Sequence, residues 1–426
     1  MNYQQFLKSK QRIFTGQSIA SSSLPASLFD WQAAITRWAL KKGRAAVFAD
    51  CGLGKTFMQL SWASAVPGRV LILAPLCVAE QTVAEGVKLG VPVTYARTPI
   101  DAQITITNYE RLDAFDPSDY AGVVLDESSI LKAFDGKTRQ RLIETFQDTT
   151  YRLCCTATPS PNDISELANH AEFLGLMTRA EFLATWFVHD DEGWRMKGHA
   201  VQPFYRWLAS WALAVNTPSD IGYPDAGFSL PPLNIHDHVL QSETPSGALF
   251  PELSVTGIGG RLSARRASID DRVAEVSSLA TSTDGSWLIW CGLNDESDAL
   301  AAAIPGAVNV QGSDSYDVKR DAVDAFVAGD VRVLVTKPKI LGFGMNFQHC
   351  HQMAFVGMSD SYEAYYQCLR RCWRFGQKHA VDAHIVVSEA ESIVVENVRR
   401  KQAAARDLSQ SLIAHMRDFE REELIA

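Results

Sequence analysis

The sequence predicts an α/β protein with two doubly wound parallel-sheet domains. Short apolar runs alternate with helical segments along most of the 426 residues, as strands and helices do in open parallel sheets. A chain of this length exceeds one ordinary hydrophobic core, so two or three domains are expected. A stretch rich in glycine, proline and aspartate, residues 219–232, separates two alternating halves. Only the first half contains a glycine-bearing turn of the kind that binds phosphate.

The composition is that of a soluble globular protein, with 46% hydrophobic and 21% charged residues. No apolar run approaches the roughly 20 residues of a membrane-spanning helix, and the polar N-terminus lacks the apolar core of a signal peptide. The eight cysteines are scattered without a CxxC pair, which is typical of a reduced, cytoplasmic protein. The net charge of −9 excludes a wholly basic nucleic-acid binder but permits a locally basic groove. We expect a cytoplasmic monomer without a membrane partner.

After a loosely structured lead-in of residues 1–28, the first half opens with a helix for which Asp30 is the expected N-cap. Gln32 lies in this helix, just ahead of the glycine-bearing turn. A glutamine at this place can hydrogen-bond an adenine edge. From the residue alone, a glutamine on the helix surface is the favoured interpretation.

The glycine-bearing turn lies between an apolar run and a helical segment, which is the order of a phosphate-binding loop. Gly52 and Gly54 allow the backbone to approach a phosphate, and the helix N-terminus directs N–H groups at the anion. We expect Lys55 to reach the β- and γ-phosphates and Thr56 to ligate Mg²⁺. One departure is that Ala49 stands where the general pattern has glycine, six residues before the lysine.

Near-continuous apolar runs at residues 70–75, 104–109 and 121–125 predict strands of a parallel sheet that is buried on both faces. The last run ends in Asp126 and Glu127. We expect Asp126 to hold Mg²⁺ and Glu127 to orient and polarise an attacking water. An apolar run that ends in two acids is common by itself, but downstream of a phosphate-binding loop the two signals support each other.

Further elements complete both halves. The first half continues with a strand over 151–159 that ends in Thr156-Ala157-Thr158, a helix over 164–176 and an aromatic-rich helical region over 182–215. The second half predicts strands at 287–291, 308–310, 331–336, 353–356 and 383–387, without a phosphate-binding loop. We assign residues 29–232 to the first domain, with a helical extension at about 175–230, and residues 233–426 to the second.

Two basic helices of the second half allow alternative interpretations. The helix predicted over 261–279 carries Arg261, Arg265 and Arg266, which lie either along a DNA backbone or in solvent. Arg371 and Arg374 are three residues apart and therefore share one helix face. An arginine supplied by a second domain can stabilise charge on a transferring phosphoryl group. From that segment alone, a solvated basic helix is the favoured interpretation.

The C-terminal segment, from residue 395 to residue 422, is predicted to form a charged helix. Its charges alternate in sign along the segment. We expect this helix to face solvent and to dock on the second domain.

These motifs follow one another in a recognisable order. Those of the first domain are Trp31-Gln32, Asp50-Cys51-Gly52-Leu53-Gly54-Lys55-Thr56, Leu73-Ala74-Pro75, Thr107-Asn108-Tyr109-Glu110, Asp126-Glu127 and Thr156-Ala157-Thr158-Pro159. Those of the second are Gly342-Phe343-Gly344-Met345-Asn346 and the segment of Gln367, Arg371 and Arg374 that ends in Phe375-Gly376-Gln377. Over about residues 29–390 the chain resembles superfamily 2 helicases and translocases, most closely the Swi/Snf-type ATPases.

The resemblance implies two RecA-like lobes with ATP and Mg²⁺ in the cleft between them and nucleic acid across both. It implies that Gln32 reads adenine, that Gly52, Leu53, Gly54, Lys55, Thr56 and Gly344 bind the nucleotide, and that Thr56 and Asp126 hold the metal. It implies that Lys55, Asp126, Glu127, Arg371 and Arg374 are catalytic. It also implies that Pro75, Asn108, Tyr109, Thr336 and Lys337 face nucleic-acid phosphates.

The chain departs from the family at two motifs. Ser129 stands where many members have a histidine that couples the ATP and DNA sites, so the coupling is weaker or differently routed. The arginine-rich segment between the lobes corresponds here to Trp211-Ala212-Leu213, which has no arginine. The large insertions of chromatin remodellers are absent.

The leading functional hypothesis is an ATP-dependent motor that moves along DNA, most plausibly duplex DNA. A second hypothesis is a helicase that separates strands or remodels branches on forked DNA. A third is a nucleotide-gated nucleic-acid-binding module with incidental turnover, against which the intact set of catalytic residues argues. Expected partners are DNA and proteins of bacterial or bacteriophage replication, recombination or repair.

Overall fold

The computed structural model describes residues 13–20, 23–75, 78–132, 136–160, 163–190, 193–225, 227–241, 265–341 and 345–425. The chain divides into two compact units. The first comprises Met1–Phe228 with Ala404–Ala426, and the second comprises Ser229–Ala403. Each unit is built around its own parallel sheet, so the predicted α/β class with two tandem sheet domains is confirmed.

The first unit contains a seven-stranded parallel sheet and a two-stranded hairpin. Its strands are β1 (Arg44–Ala49), β2 (Val70–Ala74), β3 (Thr94–Tyr95), β4 (Ile104–Asn108), β5 (Gly122–Asp126), β6 (Tyr151–Thr156), β7 (Phe187–Asp190), β8 (Gly193–Met196) and β9 (Ala212–Val215). The sheet order is β3-β4-β2-β5-β6-β1-β9, and β7 pairs with β8. Every residue of β2, β4, β5 and β9 is buried, which explains the apolar runs in the sequence.

Seven helices of this unit connect or flank the strands among the described residues. They are α1 (Asp30–Lys42), α2 (Lys55–Ala65), α3 (Ala79–Leu89), α4 (Lys137–Thr145), α5 (Leu167–Phe173), α6 (Arg179–Trp186) and α7 (Val201–Ala209). Helix α1 begins with Asp30 inside its first turn, and Phe29 occupies the N-cap position that the sequence predicted for Asp30. The phenylalanine side chain cannot accept a hydrogen bond, but the Gln32 Oε1 atom accepts one from the Phe29 N–H at 3.1 Å, as in one half of a capping box.

The aromatic-rich region 182–215 is not uniformly helical, so that prediction was wrong in part. It contains the end of α6, the β7–β8 hairpin, α7 and the edge strand β9. Strand β9 runs parallel to β1, with Ala46 opposite Ala212. Because a short apolar run that is buried on both sides has no distinguishing period, a strand of this kind cannot be told from a buried helical segment.

The second unit contains a six-stranded parallel sheet. Its strands are β10 (Leu233–Leu240), β11 (Trp287–Cys291), β12 (Val308–Asn309), β13 (Val333–Thr336), β14 (Gln352–Val356) and β15 (Val381–Ser388), in the order β10-β15-β14-β11-β13-β12. Its helices are α8 (Ile269–Thr281), α9 (Asn294–Ala303), α10 (Tyr316–Ala328), α11 (Pro338–Leu341) and α12 (Tyr362–Cys372). The edge strand β10 was not predicted, because it is largely exposed and carries polar residues.

The last helix, α13 (Ser392–Ile425), crosses the division between the units. Leu412, Ile413 and Met416 belong to the hydrophobic core of the first unit. The carboxylate of Glu420 accepts a hydrogen bond at 2.8 Å from the backbone N–H of Ala214, on the sheet-edge strand β9. The prediction that this helix docks on the second domain therefore fails for residues 404–422, because their apolar face is buried in the first unit. No helix in the described part of the chain is long and apolar enough to cross a membrane.

Candidate nucleotide-binding and catalytic site

The loop between β1 and α2 has a backbone that only glycine adopts readily. Gly52 and Gly54 have φ values of 88° and 74°, in the left-handed region. A Cβ atom on Gly54 would lie 2.4 Å from the Nε2 atom of Gln32, so even a methyl group would displace that side chain. The glycines thus bring the loop close to α1 and leave the N-terminus of α2 uncovered by side chains at these two positions.

Lys55 and Thr56 begin α2, as the sequence predicted for a phosphate-binding loop. The Lys55 ammonium donates a hydrogen bond to the carbonyl oxygen of Ala49 at 2.9 Å, so the lysine curls over the loop backbone. The first turn of α2 contains no acidic residue. The positive end of the helix dipole is therefore not neutralised by its own side chains, which favours an anion there.

Gln32 links α1 to the loop. Its Nε2 atom donates a hydrogen bond to the carbonyl oxygen of Leu53 at 3.0 Å, and its side chain is almost wholly buried. This placement differs from the glutamine on the helix surface that the residue alone favoured. The predicted adenine-reading residue and the predicted phosphate loop are in direct contact.

Asp126 ends β5 and is buried. Strand β6 separates it from β1, so the loop and Asp126 lie at the carboxyl ends of nearby strands, where parallel sheets hold ligands. The Nε2 atom of Gln59 donates to its Oδ1 atom at 2.7 Å. Burial and the charge of Glu127 raise the pKa of Asp126 to about 6, against the opposing effects of Gln59 and Lys55.

Glu127 follows with a left-handed backbone, at φ 54°. It is the one non-glycine residue with a positive φ in the part of the chain that the structure describes. Such a conformation is strained for a side chain of this size and persists where the surroundings hold it. The Thr156 hydroxyl donates to the Glu127 carboxylate at 3.3 Å and accepts from the N–H of Thr158 at 3.1 Å. Thr156, at the end of β6, thus contacts the predicted water-activating residue.

Sequence reasoning missed Gln59, which binds the predicted metal ligand. A signal was present, because Gln59 lies four residues after Lys55 and hence on the same face of α2. The partner could not be named from sequence, because the hydrogen bond joins residues 67 positions apart.

The residues predicted to face nucleic acid have different environments in the first unit. Pro75 and Asn108 lie at the ends of the paired strands β2 and β4, where Ala74 is opposite Asn108. The Asn108 amide donates to the Glu110 carboxylate at 2.6 Å. Tyr109 differs from the prediction, because its buried hydroxyl donates at 2.7 Å to the backbone oxygen of Asp126. Burial raises the pKa of Tyr109 well above its usual value.

In the second unit, Thr336 ends β13 and Lys337 follows it. The Thr336 side chain is buried and donates to the carbonyl oxygen of Val310 at 3.2 Å, so its hydroxyl is used within the unit. Lys337 is half-buried. Gly344 lies outside the described residues.

Arg371 and Arg374 converge on one carbonyl group. Arg371 is buried and donates to the Gln367 backbone oxygen at 2.9 Å and to the Gln367 side-chain oxygen at 2.8 Å. Both guanidinium groups also donate to the Met345 oxygen, at 3.1 Å from Arg371 and 3.4 Å from Arg374. Arg374 lies beyond α12, which ends at Cys372, so the predicted shared helix face is wrong. The two guanidinium groups instead meet at the Met345 oxygen, and the solvated-helix alternative does not describe Arg371.

In the basic helix predicted over residues 261–279, some arginines are buried and others are exposed. Arg265 and Arg272 both form ion pairs with the buried carboxylate of Glu296, at 2.8 Å and 2.6 Å. Contact with DNA and exposure to solvent are therefore both wrong for Arg265, whereas Arg266 is exposed. Arg261 lies outside the described residues.

Comparisons with known proteins found one matching family model and several solved structures of similar fold. Residues 272–376 match a family model described as "Helicase conserved C-terminal domain", and this match lies within the second unit. No curated protein matches the chain. A fragment of a putative HsdR subunit of a type I restriction enzyme from Vibrio vulnificus is similar in fold, with a TM-score of 0.55 and 14% identity. The match covers 86% of this chain and 64% of that one, so this chain spans about two thirds of the fragment.

A second solved structure is the SWI2/SNF2 ATPase core of Sulfolobus solfataricus in complex with dsDNA. Its TM-score is 0.42 at 17% identity, with 92% of this chain and 95% of that one covered. Residues 272–376 are thus similar to a helicase C-terminal domain, and the two parallel-sheet units are similar in fold to the HsdR fragment.

Proposed function

We propose that this protein hydrolyses ATP with Mg²⁺ and uses the free energy to move along duplex DNA. The observation that carries the proposal is the set of Lys55, Asp126 and Glu127 at the carboxyl ends of nearby strands of one sheet. A nucleotide-gated binding module would not need the water-activating carboxylate that Thr156 contacts. Turnover is therefore favoured over simple nucleotide binding.

The residues present fit both groups. The positive φ values of Gly52 and Gly54 open the loop backbone toward an anion, and Lys55 is already at the loop. The Thr56 hydroxyl and the Asp126 carboxylate are the hard oxygen ligands that Mg²⁺ prefers. When bound, Mg²⁺ supplies positive charge that neutralises the phosphate oxygens.

Each side chain has a separate task in the proposed reaction. Lys55 binds the β- and γ-phosphates, and Gln59 orients the Asp126 carboxylate. Glu127 orients the attacking water and polarises it. Thr156 keeps the Glu127 carboxylate in place through its hydroxyl. Positioning and electrostatic stabilisation account for most of the catalysis in phosphoryl transfer, so small displacements of these groups are costly.

We further propose that Arg371 and Arg374 stabilise the charge that develops on the transferring phosphoryl group. Their convergence on the Met345 oxygen supports this role, because it holds two cationic groups together on one side of the segment. Coupling to DNA rests on the resemblance of the ordered motifs to those of superfamily 2 translocases. Pro75 and Asn108 of the first unit, with Lys337 of the second, are the residues we assign to DNA phosphates.

A DNA-dependent ATPase titration tests the proposal. ATP turnover is measured with single-stranded, duplex and forked DNA at low salt. The expected result is strongest stimulation by duplex DNA, together with displacement of a triplex-forming strand. Displacement of a strand from forked duplex without triplex displacement would identify a strand-separating helicase instead. No stimulation and no DNA binding would overturn the proposal.

A further inference from the structure

The turn after Glu127 is hydrogen-bonded to α5, a helix about 40 residues further along the chain. Ser128 and His170 are both fully buried, and the Ser128 hydroxyl lies 3.1 Å from the His170 Nε2 atom. The hydroxyl next to Glu127 is therefore in contact with α5.

The neighbouring residue of α5 contacts the other end of the same turn. Ser128–Lys132 form a 3₁₀ turn. The Asn169 amide donates to the carbonyl oxygens of Leu131 and Lys132, at 2.8 Å and 3.3 Å. Two consecutive side chains of α5 thus hold the start and the end of the segment that follows Glu127.

His170 has no other polar partner among the described residues, because its Nδ1 atom has none. Its ring packs edge-to-face on Phe48 of β1, with ring centroids 5.3 Å apart. Burial lowers the pKa of His170 to about 4, so the imidazole is neutral near pH 7. A phenylalanine would make the same ring contact without burying an unpaired nitrogen. The bond to Ser128 is therefore the one polar interaction that distinguishes this histidine from an apolar core residue.

We propose that His170 is a positioning residue for ATP hydrolysis, acting through Ser128 on the backbone turn that holds Glu127. The inference rests on the proposed function. The left-handed conformation of Glu127 is costly, so neighbouring contacts must hold it. Ser129 leaves the turn itself without a histidine, and α5 supplies an imidazole from outside. In the absence of this contact the turn relaxes and the water-orienting carboxylate moves.

The test compares steady-state ATPase constants of the full-length protein with saturating DNA. His170→Phe keeps the ring contact with Phe48 and removes the hydrogen bond to Ser128. Ser128→Ala removes the same bond from the other side. His170→Gln restores a donor or acceptor at about the position of Nε2. His349→Phe is the control, because His349 also packs edge-to-face on a phenylalanine, Phe326, but lies exposed in the second unit.

We expect His170→Phe and Ser128→Ala each to lower kcat about tenfold, which corresponds to ~1.4 kcal/mol, with KM for ATP within about twofold of wild type. The double variant should be no slower than the single ones. His170→Gln should recover most of the loss, and His349→Phe should match wild type.

Additive losses in the double variant, or equal losses in His170→Phe and His170→Gln, would overturn the proposal. So would a normal kcat in His170→Phe together with a lowered melting temperature, because that result indicates packing alone. If His170→Phe does not fold, Ser128→Ala and His170→Gln still decide the question. A wild-type protein without turnover overturns the proposed function and this inference together, whereas wild-type turnover with a normal kcat in His170→Phe and Ser128→Ala overturns only the inference.

Discussion

The predicted phosphate-handling groups of the two units are held in different ways. In the first unit, the site depends on contacts between residues far apart in sequence, such as Gln59 with Asp126 and Thr156 with Glu127. In the second unit, Arg371 bonds mainly to Gln367, four residues earlier on the same helix. The first arrangement requires the sheet to fold, whereas two of the three hydrogen bonds of Arg371 lie within one helix. Substitutions in the first unit should therefore alter nucleotide binding and turnover, and those at the arginines should alter turnover alone.

Lys55→Ala, in the first unit, should have the largest effect on ATP turnover. We expect ATP turnover to fall to background and ATP affinity to weaken, because the variant lacks the ammonium group at the phosphates. DNA binding should remain largely intact. Turnover and equilibrium binding of a fluorescent ATP analogue are the measurements, and Lys41→Ala, at an exposed position of α1, is the matched control. Normal turnover in Lys55→Ala would show that the site is misplaced.

Arg371→Ala should reduce kcat by on the order of 10³-fold and leave ATP affinity near wild type. The reason is that the proposed contact forms with charge that develops during reaction. The same turnover and equilibrium-binding measurements apply, and Arg400→Ala, at an exposed position on α13, is the control. Weakened ATP affinity with unchanged kcat would mean that the second unit contributes ground-state binding, which would break the comparison.

Gln59→Leu should reduce kcat about tenfold, because one hydrogen bond to the metal-binding carboxylate is lost. The required Mg²⁺ concentration should rise as Asp126 loses its fixed orientation. A titration of ATPase activity against Mg²⁺ measures both effects. An unchanged Mg²⁺ requirement would leave Gln59 as a packing residue of α2.

Glu420→Gln should have the smallest effect on catalysis, because it acts on stability alone. Burial raises the pKa of Glu420 to about 8, above its unfolded value near 4.5. The folded protein therefore binds the extra proton, and the contribution to stability is lost as pH rises from about 4.5 through 8. Glutamine does not ionise, so the variant does not lose this stability at high pH. It should be more stable than wild type by about 2–4 kcal/mol at pH 9 and closer to wild type at pH 5.

Melting temperatures at both pH values test the predicted stability difference. Glu422→Gln is the control, because Glu422 is exposed. Equal shifts of Glu420→Gln and its control would contradict a buried, protonated carboxyl group. A pH-dependent shift would sharpen the comparison, since it would show that the first unit also depends on a contact between residues 206 positions apart.

Sequence reasoning recovered the elements with strong local signals. The apolar run Val70–Ala74 is wholly buried, as a strand covered on both faces must be. Gly52 and Gly54, in the predicted phosphate-binding loop, have the left-handed backbone conformation that favours glycine. It did not recover β9, which has no period to distinguish it, or the exposed strand β10. The docking of α13 was also misassigned, because charge alternation does not say which surface a helix meets.

The sequence by itself determined the α/β class with two parallel-sheet domains, and it predicted the groups that we propose to handle phosphate. These follow from local patterns: hydrophobic period, glycine placement and the order of the motifs. Only the tertiary structure decided which side chains support those groups, as with Gln59 on Asp126, His170 on Ser128 and Glu420 on Ala214. The physical reason is that strand order brings residues tens to hundreds of positions apart within hydrogen-bonding distance, and no local pattern records such a partner.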